Sequence, residues 1–405
     1  MIKIIKNRLK FIIELLLSFY QGASISSLFF EILIRLSNVL KTRKKTLIKS
    51  IKSYQPLFYK FDEFMKLNHF SENLKNEIEE NIKVDRRTVI FLKHLMLYHL
   101  WFGSFVNCQY LRNLYRIKLI CFQQKQHTLD FNAARAALEA NRLYILKTWL
   151  KKKKISKFDN NLLKVFLDHL KISSHEKSPH LELSKSSMVN LVQNKKIIVI
   201  GPAPDDKVHS LEKLNKYDLS IGANYVSDIS AKTNISYYSG FIKKAGSDTV
   251  INSLKDLDIA CIQSQYFKLL RLNPIQYLKV RIFEADSISL MLMFKSEPNL
   301  IQNIIFDLLK FNPNKIYLCG INFYTSKETY RNRSYTNFHS NEKKKKPILE
   351  TIRIVHDPFA NFIFLKNIWM NGLMEVSENV EKVISLTELE YAEKLDNLSR
   401  TNIEY

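Results

Sequence analysis

The stretch KKIIVIG at residues 195–201 begins a series of short β-branched runs that decide the fold class. Three more runs follow it: DLSIGAN (218–224), DIACIQS (258–264) and KIYLCGINFY (315–324). Runs of this kind, bounded by turn residues and separated by helical stretches, are typical of buried strands in a largely parallel sheet. We therefore predict an α/β domain over residues 195–405.

Residues 1–190 have a helical pattern instead. The segment 131–150, FNAARAALEANRLYILKTWL, follows an Asp at an N-cap position and consists largely of strong helix formers, so we expect one helix there. Residues 88–105 predict another long apolar helix. The polar, Ser-rich segment 184–190 is a suitable connection, and we place the boundary between the helical region and the α/β domain there.

The net charge indicates which classes of partner the protein could bind. The chain has 62 Lys and Arg against 39 Asp and Glu, a net charge of +23 in 405 residues. Nucleic acid, an anionic membrane surface and phosphorylated substrates all fit this excess, and so does a coding bias toward Lys, Asn and Ile. With 46% hydrophobic and 25% charged residues, the composition excludes wholesale disorder.

The N-terminus is predicted to be a basic amphipathic helix. Apolar residues recur at helical spacing from Ile4 to Leu17, with lysines between them. Such a helix either lies on an anionic membrane surface, near a membrane-borne acceptor, or packs against its own domain. The uncharged run 15–30 is 16 residues long and contains several polar residues, so it is too short to span a bilayer.

The cysteines and the N-terminus predict a compartment. The four cysteines are well separated and form no CxxC pair, which argues against a disulfide framework and for a reducing cytosol. No secretory cleavage site is evident. We expect a cytoplasmic protein, peripheral to the inner face of the cytoplasmic membrane if the basic helix binds lipid.

Polar or small residues follow three of the predicted strands. The first strand ends in Gly201, Pro202 and Ala203, a turn that would present backbone N–H groups at the sheet edge where α/β folds bind phosphates. This turn is neither a dinucleotide-binding motif nor a P-loop. Asn224 ends the second strand, where it would bind a base, a ribose or a phosphate, or cap a turn. Ser239 follows a further predicted strand, ISYY at residues 235–238.

The stretch KIYLCGINFYTSKETY is the most informative. The strand exits into Asn322 and Tyr324, and Tyr330 lies six residues further on. Two phenols on one loop can donate hydrogen bonds to a phosphate without a metal. His356 precedes a predicted helix, and a histidine there suits either a general base or a structural role.

These motifs together resemble the bacterial lipo-oligosaccharide sialyltransferases over residues 195–390. Their pattern is a strand followed by Gly-Asn-Gly-Pro-Ser, a second strand ending in Asn, a Gly-Ile-Asp-Phe-Tyr segment, a second Tyr, then a lid and a His. The counterparts here, in the same order, are Gly201-Pro202-Ala203-Pro204-Asp205, Asn224, Gly320-Ile321-Asn322-Phe323-Tyr324, Tyr330 and His356. The resemblance implies a modified GT-A, Rossmann-like fold that uses CMP-sialic acid.

The resemblance also implies roles for these residues. Tyr324 and Tyr330 would bind the CMP phosphate and help the nucleotide leave, and His356 would take the proton from the acceptor hydroxyl. The donor would be bound by the remaining members of the set: Gly201, Pro202, Ala203, Asn224, Ser239 and Asn322. The reaction would be an inverting transfer to a surface glycan or glycolipid, with no cofactor and no metal.

The sequence departs from that family at two nucleotide-binding positions. Pro202 stands where the family has an asparagine, and Ser239 or Tyr238 stands where another nucleotide-contacting asparagine is expected. This leaves CMP-Kdo, or another CMP-nonulosonate used in capsule or lipopolysaccharide synthesis, as an alternative donor. The triplet Asp256-Leu257-Asp258 is the only candidate metal-binding pair that we find in the sequence. We interpret it as coincidence, because it leads directly into a strand and nothing there directs the two carboxylates toward one ion.

Two interpretations of other classes stay open. One is a non-catalytic protein that binds anionic surfaces or nucleic acid, which the charge favours; we expect no nucleic acid partner, because no zinc-finger, RNP or recognition-helix pattern is present. The other is a scaffold with a degenerate transferase fold, for which Pro202 is the best argument.

Overall fold

The computed structural model describes residues 71–81, several positions from 89 to 100, and then 103–124, 131–152, 185–203, 215–227, 233–283, 298–325 and 356–400. The chain divides into two compact units, Met1–Met96 and Leu97–Tyr405. The first contains helix α1 (Glu72–Asn81). The predicted N-terminal helix and Tyr330 lie outside the described residues.

The second unit contains a seven-stranded sheet in which every neighbouring pair is parallel. The strands are β1 (Lys196–Ile200), β2 (Leu219–Ala223), β3 (Ile235–Tyr238), β4 (Ile259–Gln263), β5 (Val280–Phe283), β6 (Lys315–Cys319) and β7 (Glu375–Val376). This sheet, with its flanking helices, confirms the predicted α/β class.

The strand order is β5-β4-β3-β2-β1-β6-β7. The chain therefore runs outward from β1 to β5 and then returns to the other side of β1 with β6. In open parallel sheets the crevice at such a reversal, at the carboxyl ends of the strands, is where ligands bind. The central residues Ile197, Ile198 and Val199 of β1 are almost fully buried, which explains the unbroken apolar run.

Twelve helices are described in the second unit. They are α2 (Phe105–Gln124), α3 (Phe131–Glu139), α4 (Leu143–Lys152), α5 (Lys185–Val192), α6 (Ile242–Ala245), α7 (Ser247–Ser253), α8 (Ser264–Phe267), α9 (Pro274–Tyr277), α10 (Leu300–Leu309), α11 (Pro358–Met370), α12 (Glu378–Ile384) and α13 (Glu388–Arg400).

The segment 131–150 is two helices, so the prediction of one helix there is wrong. Asn141 adopts a left-handed conformation with φ 52°. The N–H of Asn141 donates to the carbonyl of Leu138 (3.0 Å), and that of Arg142 to the carbonyl of Ala137 (2.8 Å). This is the Schellman pattern that ends helices, with Asn in place of the usual Gly.

A buried ion network joins the helices of residues 105–139 to α11. The guanidinium of Arg112 is fully buried and donates to both oxygens of Glu139 (2.5 and 2.7 Å) and to Oδ2 of Asp357 (2.6 Å). Asp357 is the N-cap of α11. The compact unit that holds the sheet therefore includes α2–α4, which we assigned to the N-terminal region.

The cysteines form no disulfide within the described chain. Burial raises the pKa of the Cys261 thiol to about 12, so this thiol is neutral and unreactive. Of the helices that the structure describes, none combines the length and apolar character needed to cross a bilayer.

Candidate functional site

The carboxyl ends of β1 and β6 touch through two glycines. The N–H of Gly201 donates to the carbonyl of Cys319 (2.8 Å), and that of Ala203 to the carbonyl of Gly320 (2.7 Å). A Cβ on Gly201 would lie 2.3 Å from the carbonyl oxygen of Gly320, so no larger residue fits there without moving the backbone. The point between β1 and β6 at which the strand order reverses, here called the switch point, is thus closed at its base by paired backbone.

This pairing changes what the first turn can offer to a ligand. The N–H groups of Gly201 and Ala203 are both used between the strands, and Pro202 has none. Among the described residues 201–203, therefore, no backbone N–H is left to bind a phosphate.

Asn224 lies at the carboxyl end of β2 with φ 54°. Its N–H donates to the carbonyl of Tyr237 (2.9 Å). Its side-chain oxygen Oδ1 is buried and has no hydrogen-bond donor within the described part of the chain. An unsatisfied buried acceptor costs about 1–3 kcal/mol, so a donor from a ligand, a water molecule or another part of the chain would stabilise this atom.

The backbone after Asn224 is held by side chains of β3. The Tyr225 N–H donates to Oγ of Ser236 (3.0 Å), and the Tyr238 hydroxyl donates to the carbonyl of Tyr225 (2.8 Å). These contacts fix the orientation of Asn224. Ser239 follows the last residue of β3 and is half-buried, and its carbonyl accepts from the N–H of Ile242 (3.2 Å) at the start of α6.

The loop after β6 has an unusual backbone. Phe323 and Tyr324 are consecutive residues in the left-handed region, with φ 48° and 67°. Oδ1 of Asn322 accepts from the N–H of Tyr324 (3.1 Å), and its carbonyl accepts from the N–H of Thr325 (2.9 Å). Asn322 therefore shapes the loop that carries Tyr324. Strained backbone of this kind persists only where surrounding structure holds it.

Tyr391 of α13 supplies that support. Its hydroxyl, fully buried, donates to the carbonyl of Phe323 (2.8 Å), and its ring stacks on Phe362 with the centroids 4.1 Å apart. Phe323 makes an edge contact with the same Phe362 ring at 5.4 Å. The sequence gives no signal for this role, because Tyr391 lies 68 residues from the carbonyl it contacts.

His356 lies directly before the capping residue of α11 and is half-buried. Oδ1 of Asp357 accepts from the N–H groups of Phe359 (3.0 Å) and Ala360 (3.3 Å), which fixes the backbone next to His356. Burial raises the pKa of the Tyr391 hydroxyl, and the nearby Tyr324 and Asp357 raise it further. Tyr391 contacts both the residue before Tyr324, through its hydroxyl, and Phe359 at the start of α11, through its ring.

Apart from Tyr330 and His356, the predicted residues follow the carboxyl ends of four neighbouring strands, β3, β2, β1 and β6. Asn224 is two strands from β6, which at about 4.8 Å per strand is about 10 Å. Ser239 is one strand further, about 14 Å from β6. A mononucleotide can bridge the first of these distances while its phosphate lies near Tyr324.

No family model, curated protein or solved structure matches this chain.

The two aspartates considered for a metal have separate partners. Asp256 accepts hydrogen bonds from the hydroxyls of Tyr225 (3.2 Å) and Ser227, whereas Asp258 accepts from the side-chain amide of Asn234 (3.0 Å). Within the described ranges there is no cluster of three or more His, Cys, Asp or Glu side chains that could hold a metal ion.

Proposed function

We propose that the protein is an inverting glycosyltransferase that moves a sialic acid, or a related 2-keto sugar acid, from a CMP donor to a glycan or glycolipid acceptor. The observation that carries this proposal is the buried, unsatisfied Oδ1 of Asn224 beside the switch point of a parallel sheet. An amide oxygen there can accept from the amino group of cytosine or from a ribose hydroxyl. A GT-A-like form of the α/β fold is part of the same proposal.

The phosphate of the donor would be bound by phenols. The N–H groups of Gly201 and Ala203 are already engaged, and Tyr324, with Tyr330 further along the same segment, is the predicted source of hydrogen bonds to the leaving phosphate. Donors fixed in advance stabilise charge as it develops on a leaving group. The network of Asn322, Phe323 and Tyr391 fixes the backbone of Tyr324 for this task.

His356 would act as the general base. The acceptor oxygen attacks the anomeric carbon from the face opposite CMP, its proton passes to the imidazole of His356, and the bond to the CMP phosphate breaks with its electrons on CMP. Inversion follows from this single displacement. The rigid cap at Asp357 supports the role, because a base must be held within hydrogen-bond reach of its substrate.

The donor sugar is the least constrained part of the proposal. Pro202 offers neither an N–H nor an amide side chain where the resembling family has Asn, and Ser239 or Tyr238 stands where a second Asn is expected. A donor that needs fewer hydrogen bonds from these positions, such as CMP-Kdo, is therefore the alternative. We place the reaction at the cytoplasmic face of the membrane that carries the acceptor.

The test is CMP release and CMP binding by the purified full chain. We expect release from either CMP-sialic acid or CMP-Kdo in EDTA with a mixed acceptor pool, and we expect His356→Ala to abolish it while CMP still binds. Asn224→Ala should weaken CMP binding about 3- to 10-fold, the value of one hydrogen bond. Asn194→Ala is the matched control, since Asn194 is also left-handed but precedes β1. A protein that neither releases CMP from these donors nor binds CMP would overturn the proposal.

A further inference from the structure

Exposed apolar side chains are concentrated at one lateral edge of the sheet. Nine large apolar side chains are exposed among the described residues, and five of them come from the short stretch around α9 and β5. These five are Leu269, Ile275, Tyr277, Leu278 and Ile282. Ile275 is 75% exposed and Leu278 is 84% exposed, which is unusual for residues of this size in an ordered segment.

The backbone that carries them is well anchored. Asn273 and Gln276 form a capping box at the start of α9, and the Tyr277 ring makes an edge contact with Phe267 at 5.9 Å. The ammonium of Lys279 donates to the carbonyls of Leu254 and Leu257, both at 2.9 Å. The exposed side chains are therefore presented by a fixed segment rather than by a frayed end.

The stretch that carries these side chains has charges of a single sign. The sequence from residue 259 to residue 283 contains no Asp or Glu and four basic residues. Of these, Lys279 and Arg281 are directed inward, to the carbonyls above and to Asp307. Lys268 and Arg271 are exposed beside the apolar side chains. We call Lys268, Arg271 and the five apolar residues the β5 surface.

We propose that the β5 surface binds an anionic lipid bilayer. Apolar side chains enter the boundary between headgroups and acyl chains, while Lys and Arg contact the phosphates around them. Tyr277 suits this boundary, because its ring is apolar and its hydroxyl is polar. A second copy of the chain fits less well: a two-fold contact would bring Lys268 and Arg271 against the same cations.

None of the residues of the β5 surface belongs to the candidate site. At the usual spacing β5 is about 19 Å from β1 and about 10 Å from β3, which Ser239 follows. The proposal does not rest on the proposed transferase reaction, since lipid binding is measured without a sugar donor. It also differs from the N-terminal helix predicted to bind lipid, which lies outside the described residues.

The test is co-sedimentation of the full chain with vesicles of phosphatidylcholine alone and of phosphatidylcholine with phosphatidylglycerol. We expect binding to the mixed vesicles. The affinity should fall about tenfold or more in Ile275→Ser/Leu278→Ser, because moving either apolar side chain from water into the bilayer contributes at least that factor. Lys268→Glu/Arg271→Glu should weaken binding to the mixed vesicles only. Both variants should melt at the wild-type temperature, since these side chains are exposed.

The matched control is Met370→Ser/Leu389→Ser, which removes two exposed apolar side chains elsewhere on the same unit and should leave vesicle binding unchanged. Wild-type vesicle binding by Ile275→Ser/Leu278→Ser would overturn the proposal and assign any lipid affinity to another part of the chain. A wild-type dimer that this variant dissociates, with no vesicle binding by either, would show instead that the surface binds a second copy.

Discussion

Removal of the Tyr391 hydroxyl tests whether the loop after β6 is held in place from the C-terminal helix. Tyr391→Phe deletes one hydrogen-bond donor and keeps the stack on Phe362 and the edge contact with Phe359 at 5.7 Å. The carbonyl of Phe323, which now accepts at 2.8 Å, would lose that donor in a buried position. Loss of a donor to a buried acceptor costs about 1–3 kcal/mol.

The strain of the loop reduces this cost and links it to function. A left-handed conformation costs a residue other than glycine roughly 1–2 kcal/mol, and both Phe323 and Tyr324 adopt one. Once the hydroxyl is gone, the loop can relax and recover part of that energy. We therefore expect a net loss of about 1 kcal/mol, a fall in melting temperature of about 2 °C, and a displaced Tyr324 that binds the CMP phosphate less well.

The assay compares thermal unfolding and CMP affinity of the full chain with and without the hydroxyl. Tyr277→Phe is the control, because the ring of Tyr277 is 51% exposed and surface changes usually stay within about 0.5 kcal/mol. Unchanged melting and unchanged CMP affinity in Tyr391→Phe would refute the reasoning. A lower melting temperature with unchanged CMP affinity would separate the loop from the donor site.

Three further predictions follow from buried contacts of the same unit. Gly201→Ala forces a Cβ to within 2.3 Å of the Gly320 carbonyl oxygen, so it should lower the free energy of unfolding by about 1–3 kcal/mol and weaken CMP binding. A wild-type melting temperature would contradict this prediction. Arg112→Leu leaves two carboxylates buried without their cation and should lower the free energy of unfolding, measured in urea, by about 3–5 kcal/mol. Replacement of an exposed arginine by Leu should change that free energy little. Burial raises the pKa of Asp307, but its contacts with Arg281 and other donors outweigh burial and hold it at about 2, against 3.8 unfolded. Stability should thus be full above pH 4 and fall by about 2 kcal/mol toward pH 2, a slope that Asp307→Asn should lack.

The strands that the sequence predicts are those buried on both faces. β1, β4 and β6 appear as apolar runs because helices cover each side of the sheet at these positions. β5 is an edge strand that contains Arg281 and the exposed Ile282, so its pattern is weak. β7 has two residues, too few to show any periodicity. Edge position and short length, rather than composition, hide these two strands from sequence reasoning.

The candidate site shows the same division between local and long-range information. That Asn224 ends a strand follows from nearby sequence, since an apolar run stops at it. That the amides of Gly201 and Ala203 are occupied does not, because their acceptors lie in and after β6, more than 100 residues away. The support from Tyr391 is equally remote. Hydrogen-bond partners depend on which strands become neighbours, and no spacing within one segment encodes that choice.

The helices before the sheet acquire a physical role through Arg112. Asp357 must cap α11 to fix the backbone at His356, yet a carboxylate buried at that point needs a cation. Arg112 of α2 supplies the cation, and Glu139 of α3 balances its charge from the other side. The helices α2 and α3 thus hold the capping side chain at the start of α11, and the backbone next to His356 depends on residues far upstream of the sheet. The α/β portion alone would lack this support at the start of α11.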